Sequence, residues 1–228
     1  MPEELERDAG CGPPGSVRGP GMTFSLSQVE PWGRSHQEYL SFFDLDDNDL
    51  GRRLAGCADG PAGFNSWLSA RGGSIVSCDP LYRYRAAEIR DRIRECRPRI
   101  LRQVEENMDL FVWETVRSPE ELGRYRASAM QSFLADYERG RREGRYLAAT
   151  LPFLPFPDNS FDIAVCSHLL FYYSPQLSGD FHVAAITEML RVAPEVRIFP
   201  LVDLNAGMSG HLDPVLRDLG DRGHEVEI

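Results

Sequence analysis

The segment from Leu54 to Pro80 places the tightest limit on how this 228-residue chain can fold. It reads as a short strand over 52–57, a turn carrying Gly60, a short helix over 62–70, a Gly72-Gly73 stop, and a strand over 74–78 ending at Asp79. In the helical stretch, Phe64, Trp67 and Leu68 share one face. Gly60 lets the chain turn sharply where a ligand approaches the backbone. A carboxylate about 20 residues further on falls beside the ribose hydroxyls of a nucleotide held by such a unit. The same string also suits an ordinary strand-helix-strand unit, so its meaning depends on the rest of the chain.

Strand and helix patterns alternate beyond it. Apolar residues recur at helical spacing between 82 and 144: first Ile89, Ile93, Ile100, Leu101 and Val104, then Met130, Phe133, Leu134 and Tyr137. Candidate strands follow at 145–150, 161–167 and 195–201, with helices at 181–191 and 212–219 and the start of a sixth strand at 225–228. This alternation predicts an α/β fold: a Rossmann-like, doubly wound, mainly parallel sheet with helices on both faces and right-handed crossovers. The stretch of about 82–144 then reads as a helical insertion of two to four helices between strands 2 and 3, placed to cover a site. Residues 1–21 combine glycine, proline and charge with almost no bulky apolar side chains, which predicts a disordered tail. The single folded domain is expected over 22–228, with the aromatic segment 23–49 as a short helical element over the core.

Composition removes several chemistries. All 25 basic residues are arginine, so a Schiff-base lysine, a phosphate-loop lysine and a lysine general base are impossible. The formal net charge of −10 argues against nonspecific binding to nucleic acid or an anionic membrane. The arginines from Arg83 to Arg102, interleaved with Glu88, Asp91 and Glu95, read as a solvated or salt-bridged helix face. Five scattered cysteines without a Cys-x-x-Cys pair indicate neither a disulfide framework nor a zinc cluster, and the histidine spacing points to no metal. With no apolar run long enough to span a bilayer and no basic-then-apolar leader, a soluble cytoplasmic protein is expected.

A second motif gives the first one meaning. Residues 154–168 run Leu-Pro-Phe-Pro-Asp-Asn-Ser-Phe-Asp-Ile-Ala-Val-Cys-Ser-His. Together the two segments resemble the class I S-adenosylmethionine-dependent methyltransferases. Their first motif often runs hydrophobic-Leu-Asp-x-Gly-x-Gly-x-Gly, and their fourth strand often follows a Leu-Pro-Phe-x-Asp-x-Ser-Phe-Asp run. Aligned this way, Ala58 and Ala62 stand at glycine positions and Gly56 at the usual acidic one, with Asp59 as a stand-in for the missing carboxylate. The resemblance implies S-adenosylmethionine as cofactor, Cys57, Ala58, Asp59, Gly60 and Pro61 as the turn facing its methionine and ribose, and Asp79 as the ribose ligand. Pro80 and Leu81, with Leu151 and Pro152, would pack on the adenine, while Cys166, Ser167 and His168 would face the transferring methyl group. It also implies a sixth strand and an antiparallel seventh, the last of which is not expected within these 228 residues.

Methyl transfer is an in-line attack on a sulfonium methyl, so the protein mainly positions reactants and removes a proton. His168, at a strand end and in the right pH range, is the candidate base. Tyr172, next to Phe171 and Tyr173, could line an acceptor pocket or stabilise a cation, and Tyr82, Trp113, Tyr146 and His182 are further candidates to contact a small-molecule substrate. Two other functions remain open on sequence: a methyltransferase-like fold that binds cofactor or partner without turnover, and a nicotinamide-dependent oxidoreductase. The second needs a fuller Gly-x-Gly-x-x-Gly than Gly60-Pro61-Ala62-Gly63 supplies.

Overall fold

The computed structural model describes residues 31–110, 113 and 116–228, so the segment 1–21 lies outside the described residues. The chain opens with two short helices, α1 (His36–Phe42) and α2 (Asp47–Leu50), followed by β1 (Arg53–Cys57), α3 (Phe64–Ser69) and β2 (Ser74–Cys78). A 3-10 turn over Pro80–Arg83 leads into α4 (Ala86–Glu106), and α5 (Pro119–Arg142) follows. The chain then forms β3 (Tyr146–Leu147), β4 (Ile163–Ser167), α6 (Gly179–Val192), β5 (Glu195–Phe199) and α7 (Leu212–Asp221).

The five strands form one sheet in the order β3-β2-β1-β4-β5, and every pairing is parallel. Side chains alternate across it with period two, as pleating demands. Leu54, Ile163 and Val165 point to one face, where Tyr39 and Phe43 of the α1 region and Phe64 and Leu68 of α3 cover them. Ala55, Cys57, Ala164 and Cys166 point to the other, under Ala185, Ile186 and Met189 of α6 and Val215 and Leu219 of α7. Both faces of the central strands are therefore dry, which is why β4 reads as a continuous apolar run rather than an alternating one.

Two long helices occupy the chain between β2 and β3. Tyr82, Ile89, Phe133, Tyr137 and Tyr146 pack together and tie α4 and α5 to the β3 edge. Arg145 reinforces the join by pairing with Asp136 of α5 at 2.6 and 2.9 Å and donating to Asn65 of α3 at 2.7 Å. Tyr137 then donates to the carbonyls of Tyr82 and Tyr84, both at 2.9 Å, and Tyr82 donates at 2.6 Å to the carbonyl of Gly60. This chain of bonds sets the position of α5 relative to the turn after β1.

Several element boundaries differ from the sequence expectation. The third strand is only Tyr146–Leu147, because the chain turns at 151–152 instead of continuing the ladder. The fifth ends at Phe199, since Pro200 has no N–H to donate. Residues 225–228 form no strand: their apolar side chains, Val226 and Ile228, are exposed, and no neighbouring strand offers them a ladder. Among the described residues β5 is therefore the sheet edge, without the sixth strand that the resemblance implied. The eight arginines from 83 to 102 lie mostly on the exposed face of α4 and the turn before it, as expected.

Candidate functional site

The carboxyl ends of β1, β2 and β4 lie side by side, with Cys57 opposite both Cys78 and Cys166. All three thiols are buried and free. Burial holds Cys57 well above the ordinary thiol range and pushes Cys78 and Cys166 up to about 12, so they serve as small core residues and not as nucleophiles.

After Cys57 the backbone enters the left-handed region twice in three residues, at Ala58 (φ 59°) and Gly60 (φ 53°). An alanine there carries a cost of about 1–2 kcal/mol that glycine would avoid, consistent with a position the family fills with glycine. The turn is tied to β2: the Ala58 amide donates to the Cys78 carbonyl at 2.8 Å, and the Gly60 amide donates to Asp79 Oδ2 at 2.9 Å. The other oxygen of Asp79 accepts from the Leu81 amide at 2.7 Å. Asp79 thus stands where expected, each oxygen holding one backbone N–H and keeping lone-pair capacity for another donor.

Asp59 turns inward. It accepts from the Ser77 hydroxyl at 2.5 Å and the Tyr39 hydroxyl at 2.8 Å. A Cβ placed on Gly56 would lie 1.8 Å from Asp59 Oδ2. The Asp59 carboxylate therefore fills the space that a side chain at position 56 would take. Burial outweighs the Ser77 and Tyr39 hydrogen bonds, and with Asp79 nearby it pushes the Asp59 carboxyl up to about 6. Burial likewise raises Asp79 against the two amides that hold it.

At the end of β4, His168 also adopts a left-handed backbone (φ 55°), a strained conformation for a side chain of this size. Its amide donates to the Phe199 carbonyl at 2.7 Å, and its Nδ1 lies 2.8 Å from the Ser167 hydroxyl. The ring sits among Tyr172, Phe42 and Phe199, with centroids 5.2, 5.3 and 5.6 Å away. Burial, then the guanidiniums of Arg34 and Arg126, hold its pKa well below the usual histidine range. At neutral pH His168 is an uncharged imidazole.

These two ends meet in one cavity of about 140 Å³. The turn contributes Ala58, Asp59, Gly60 and Pro61; β2 and β4 contribute Asp79, Ser167 and His168. Tyr172 and Tyr173 continue the wall beyond His168, and Ile100 and Val104 of α4 with Leu122 and Arg126 of α5 close over it. Trp32, Arg34 and Tyr39 complete the lining from the segment before β1.

Other candidate residues fall elsewhere. Tyr82 is buried beneath the turn, and Tyr146 sits in the aromatic cluster under α5, where its hydroxyl donates to Asp136 at 3.2 Å. His182 is fully buried and spent on the backbone, accepting from the Phe171 amide at 3.0 Å and lying 2.7 Å from the Ser178 carbonyl. Trp113 packs behind the α4–α5 wall and donates to the Met108 carbonyl. Of the four residues assigned to adenine, Pro80 is exposed and Leu81 packs against the aromatic cluster. Leu151 belongs to the core under α6, and Pro152 lines a surface groove with Phe153, α6 and α7. For Leu151 and Pro152 the cause is the two-residue third strand, which sends the following loop to the α6 face, whereas Pro80 and Leu81 enter the 3-10 turn that leads to α4.

Sequence reasoning missed Arg34 and Arg126. Both look like ordinary surface arginines in sequence, and only the contacts of Ser35 with Tyr125 and of Glu38 with Arg126 bring them to one cavity. Among the described residues no cluster of histidine, cysteine, aspartate and glutamate could hold a metal ion, and no helix is long and apolar enough to cross a membrane.

Comparison with known proteins agrees with this geometry. A family model described as a methyltransferase domain matches residues 126–195, from the middle of α5 through β4 and His168 to the first residue of β5. An uncharacterized protein of Methanocaldococcus jannaschii is 30% identical over 189 residues, which cover 82% of this chain and 84% of that protein. No solved structure matches. With a glycine turn after β1, a carboxylate closing β2, an all-parallel sheet and these matches, the chain belongs to the class I S-adenosylmethionine-dependent methyltransferase family.

Proposed function

We propose that the chain transfers a methyl group from S-adenosylmethionine to a small-molecule acceptor held beside His168. The observation that carries this reading is the single cavity joining the Ala58–Pro61 turn and Asp79 at one end to His168 and Tyr172 at the other. When bound, the cofactor supplies an electrophilic sulfonium methyl.

The residues present fit such a group in kind. Asp79 retains acceptor capacity toward ribose hydroxyls, and the buried Asp59 and half-buried Asp79 set two carboxylates at the end where a cationic cofactor would lie. A ligand cation beside Asp59 would offset its burial and hold it ionised. His168, uncharged and with Nδ1 engaged by Ser167, offers Nε2 to take a proton from the acceptor. A net charge of −10 favours a small acceptor over nucleic acid.

The space of about 140 Å³ is below the roughly 300–1,000 Å³ of ordinary ligand pockets. Ile100 and Val104 of α4 and Leu122 and Arg126 of α5 line this space, so binding a nucleoside would require these helices to move outward. Calorimetric titration with S-adenosylmethionine and S-adenosylhomocysteine tests the reading. Saturable binding by the native chain is expected, with Asp79→Ala weaker by at least tenfold, about 1.4 kcal/mol. No binding to the folded protein would sink the enzyme reading and leave a methyltransferase fold that serves a partner.

A further inference from the structure

His182 is a buried titratable group that the proposed reaction does not use. It lies in the first turn of α6, four residues after Ser178, and none of its surface is exposed. Nε2 accepts from the Phe171 amide at 3.0 Å, which makes the ring neutral and puts its proton on Nδ1, 2.7 Å from the Ser178 carbonyl. Burial, with a smaller contribution from the neighbouring His211, holds its pKa below the usual histidine range although the Ser178 carbonyl acts against it. At neutral pH an uncharged acceptor therefore faces the Phe171 amide.

The φ of Phe171 is 64°, in the left-handed region, an outlier for a bulky residue that persists only where its surroundings hold it. Both peptide groups that flank Phe171 are held. His182 takes the N–H on one side. On the other, the Phe171 carbonyl accepts from the Ser174 amide at 3.2 Å and from the Ser174 hydroxyl at 2.5 Å. The Ser174 hydroxyl in turn lies 2.5 Å from that of Ser209, in the loop before α7. A change in φ is a rotation about the N–Cα bond, so at this residue it would swing the chain that follows. Next in that chain are Tyr172 and Tyr173, both in the cavity wall. The Tyr172 ring meets His168 edge-on at 5.2 Å, and the Tyr173 ring stands perpendicular to Tyr172 at 5.4 Å.

We infer that His182 is a positioning residue of the acceptor site: by accepting the Phe171 amide it fixes the left-handed turn that presents Tyr172 and Tyr173 to the cavity beside His168. The word acceptor rests on the methyltransferase reading, whereas the hold on Tyr172 rests on this hydrogen-bond geometry. The hold is confined to the His168 end, because the Ala58–Pro61 turn and Asp79 are tied together by bonds of their own.

The test compares two substitutions that each keep half of the imidazole. Glutamine places its amide oxygen close to where Nε2 stands and still accepts from the Phe171 amide. Asparagine, one carbon shorter, keeps a donor for the Ser178 carbonyl but leaves the Phe171 amide without its acceptor. The readout is fluorine NMR of the protein labelled with 3-fluorotyrosine, the Tyr172 and Tyr39 signals being assigned among the eight tyrosines by Tyr172→Phe and Tyr39→Phe. In His182→Asn the Tyr172 signal should shift or split, while that of Tyr39, which donates to Asp59 at the other end of the cavity, stays in place. In His182→Gln both signals should stay where the native chain has them, and S-adenosylhomocysteine should bind both variants within twofold of the native chain. Two measurements do not depend on His182→Asn folding. In the native chain, scalar coupling across the hydrogen bond should link His182 Nε2 to the Phe171 amide nitrogen; Ser174→Ala, which loosens the turn from its other side, should also move the Tyr172 signal. Absence of that coupling, or a ring proton on Nε2, would overturn the inference. So would a Tyr172 signal unmoved in folded His182→Asn or in Ser174→Ala, or moved equally by glutamine and asparagine, since a histidine that only fills space and ties Ser178 gains nothing from glutamine over asparagine. A native chain that binds no S-adenosylhomocysteine would reject the methyltransferase reading, and the fluorine comparison would still decide the role of His182.

Discussion

Replacing Asp59 by asparagine should stabilise the protein at neutral pH, and by an amount that depends on pH. The carboxyl is buried between Ser77 and Tyr39, and burial lifts it from the ordinary 3.8 to about 6. Between those values the folded chain holds a proton that the unfolded chain has released. Native stability therefore falls as pH rises from about 4 to about 6 and is level above. The gap corresponds to about 3 kcal/mol at 1.36 kcal/mol per tenfold change in proton affinity. Asparagine keeps the shape and an acceptor for one hydroxyl but has no proton to lose. Urea unfolding at pH 4, 5, 6 and 7 should show the variant gaining on the native chain by about 3 kcal/mol across the series, or roughly 6–12 °C in melting temperature for a chain of this size. Asp79 titrates in the same direction in both proteins, so most of its contribution cancels in the difference. A difference that stays constant with pH, or that reverses, would show that the Ser77 and Tyr39 hydroxyls outweigh burial, and the argument would fail. S-adenosylhomocysteine affinity should fall in the same variant, the usual exchange of stability for function at a buried charge.

Two further outcomes follow from neighbouring geometry. Gly56→Ala drives a methyl group into the Asp59 carboxylate and should cost about 1–3 kcal/mol; combined with Asp59→Ala the two effects should fall well short of additive, and full additivity in a double-mutant cycle would refute the contact. With an acceptor in hand, kcat should be flat from pH 6 to 8, because His168 is already neutral well below its ordinary range, and His168→Ala should lower kcat by about 10²–10⁴. A rise in kcat through pH 6–7 would remove His168 from the role of base.

The sequence carried the architecture because the signals are local. The short strands at 53–57 and 74–78, the Gly60 turn and the apolar run at 163–167 each lie within a few residues, and the parallel order follows once helices separate the strands. Asp79 and His168 were legible for the same reason: each sits at the end of a strand, where parallel sheets present side chains to ligands. The adenine assignments were not legible. Those for Leu151 and Pro152 assumed a third strand of ordinary length, which ends after two residues, and those for Pro80 and Leu81 assumed an open loop where the chain forms a 3-10 turn.

By itself the sequence determined the α/β class, the order of strands and helices, the absence of lysine chemistry and the pair of motifs that mark the family. Tertiary structure alone decided how charge is distributed in the cavity. The Asp59 carboxylate occupies the space that a side chain at position 56 would fill, a relation between side-chain positions that no spacing rule contains. Arg34 and Arg126 lie 92 residues apart in sequence, and they line one cavity because Ser35 meets Tyr125 and Glu38 pairs with Arg126. Periodicity reports which face of an element is buried, but which charges become neighbours depends on how elements distant in sequence pack.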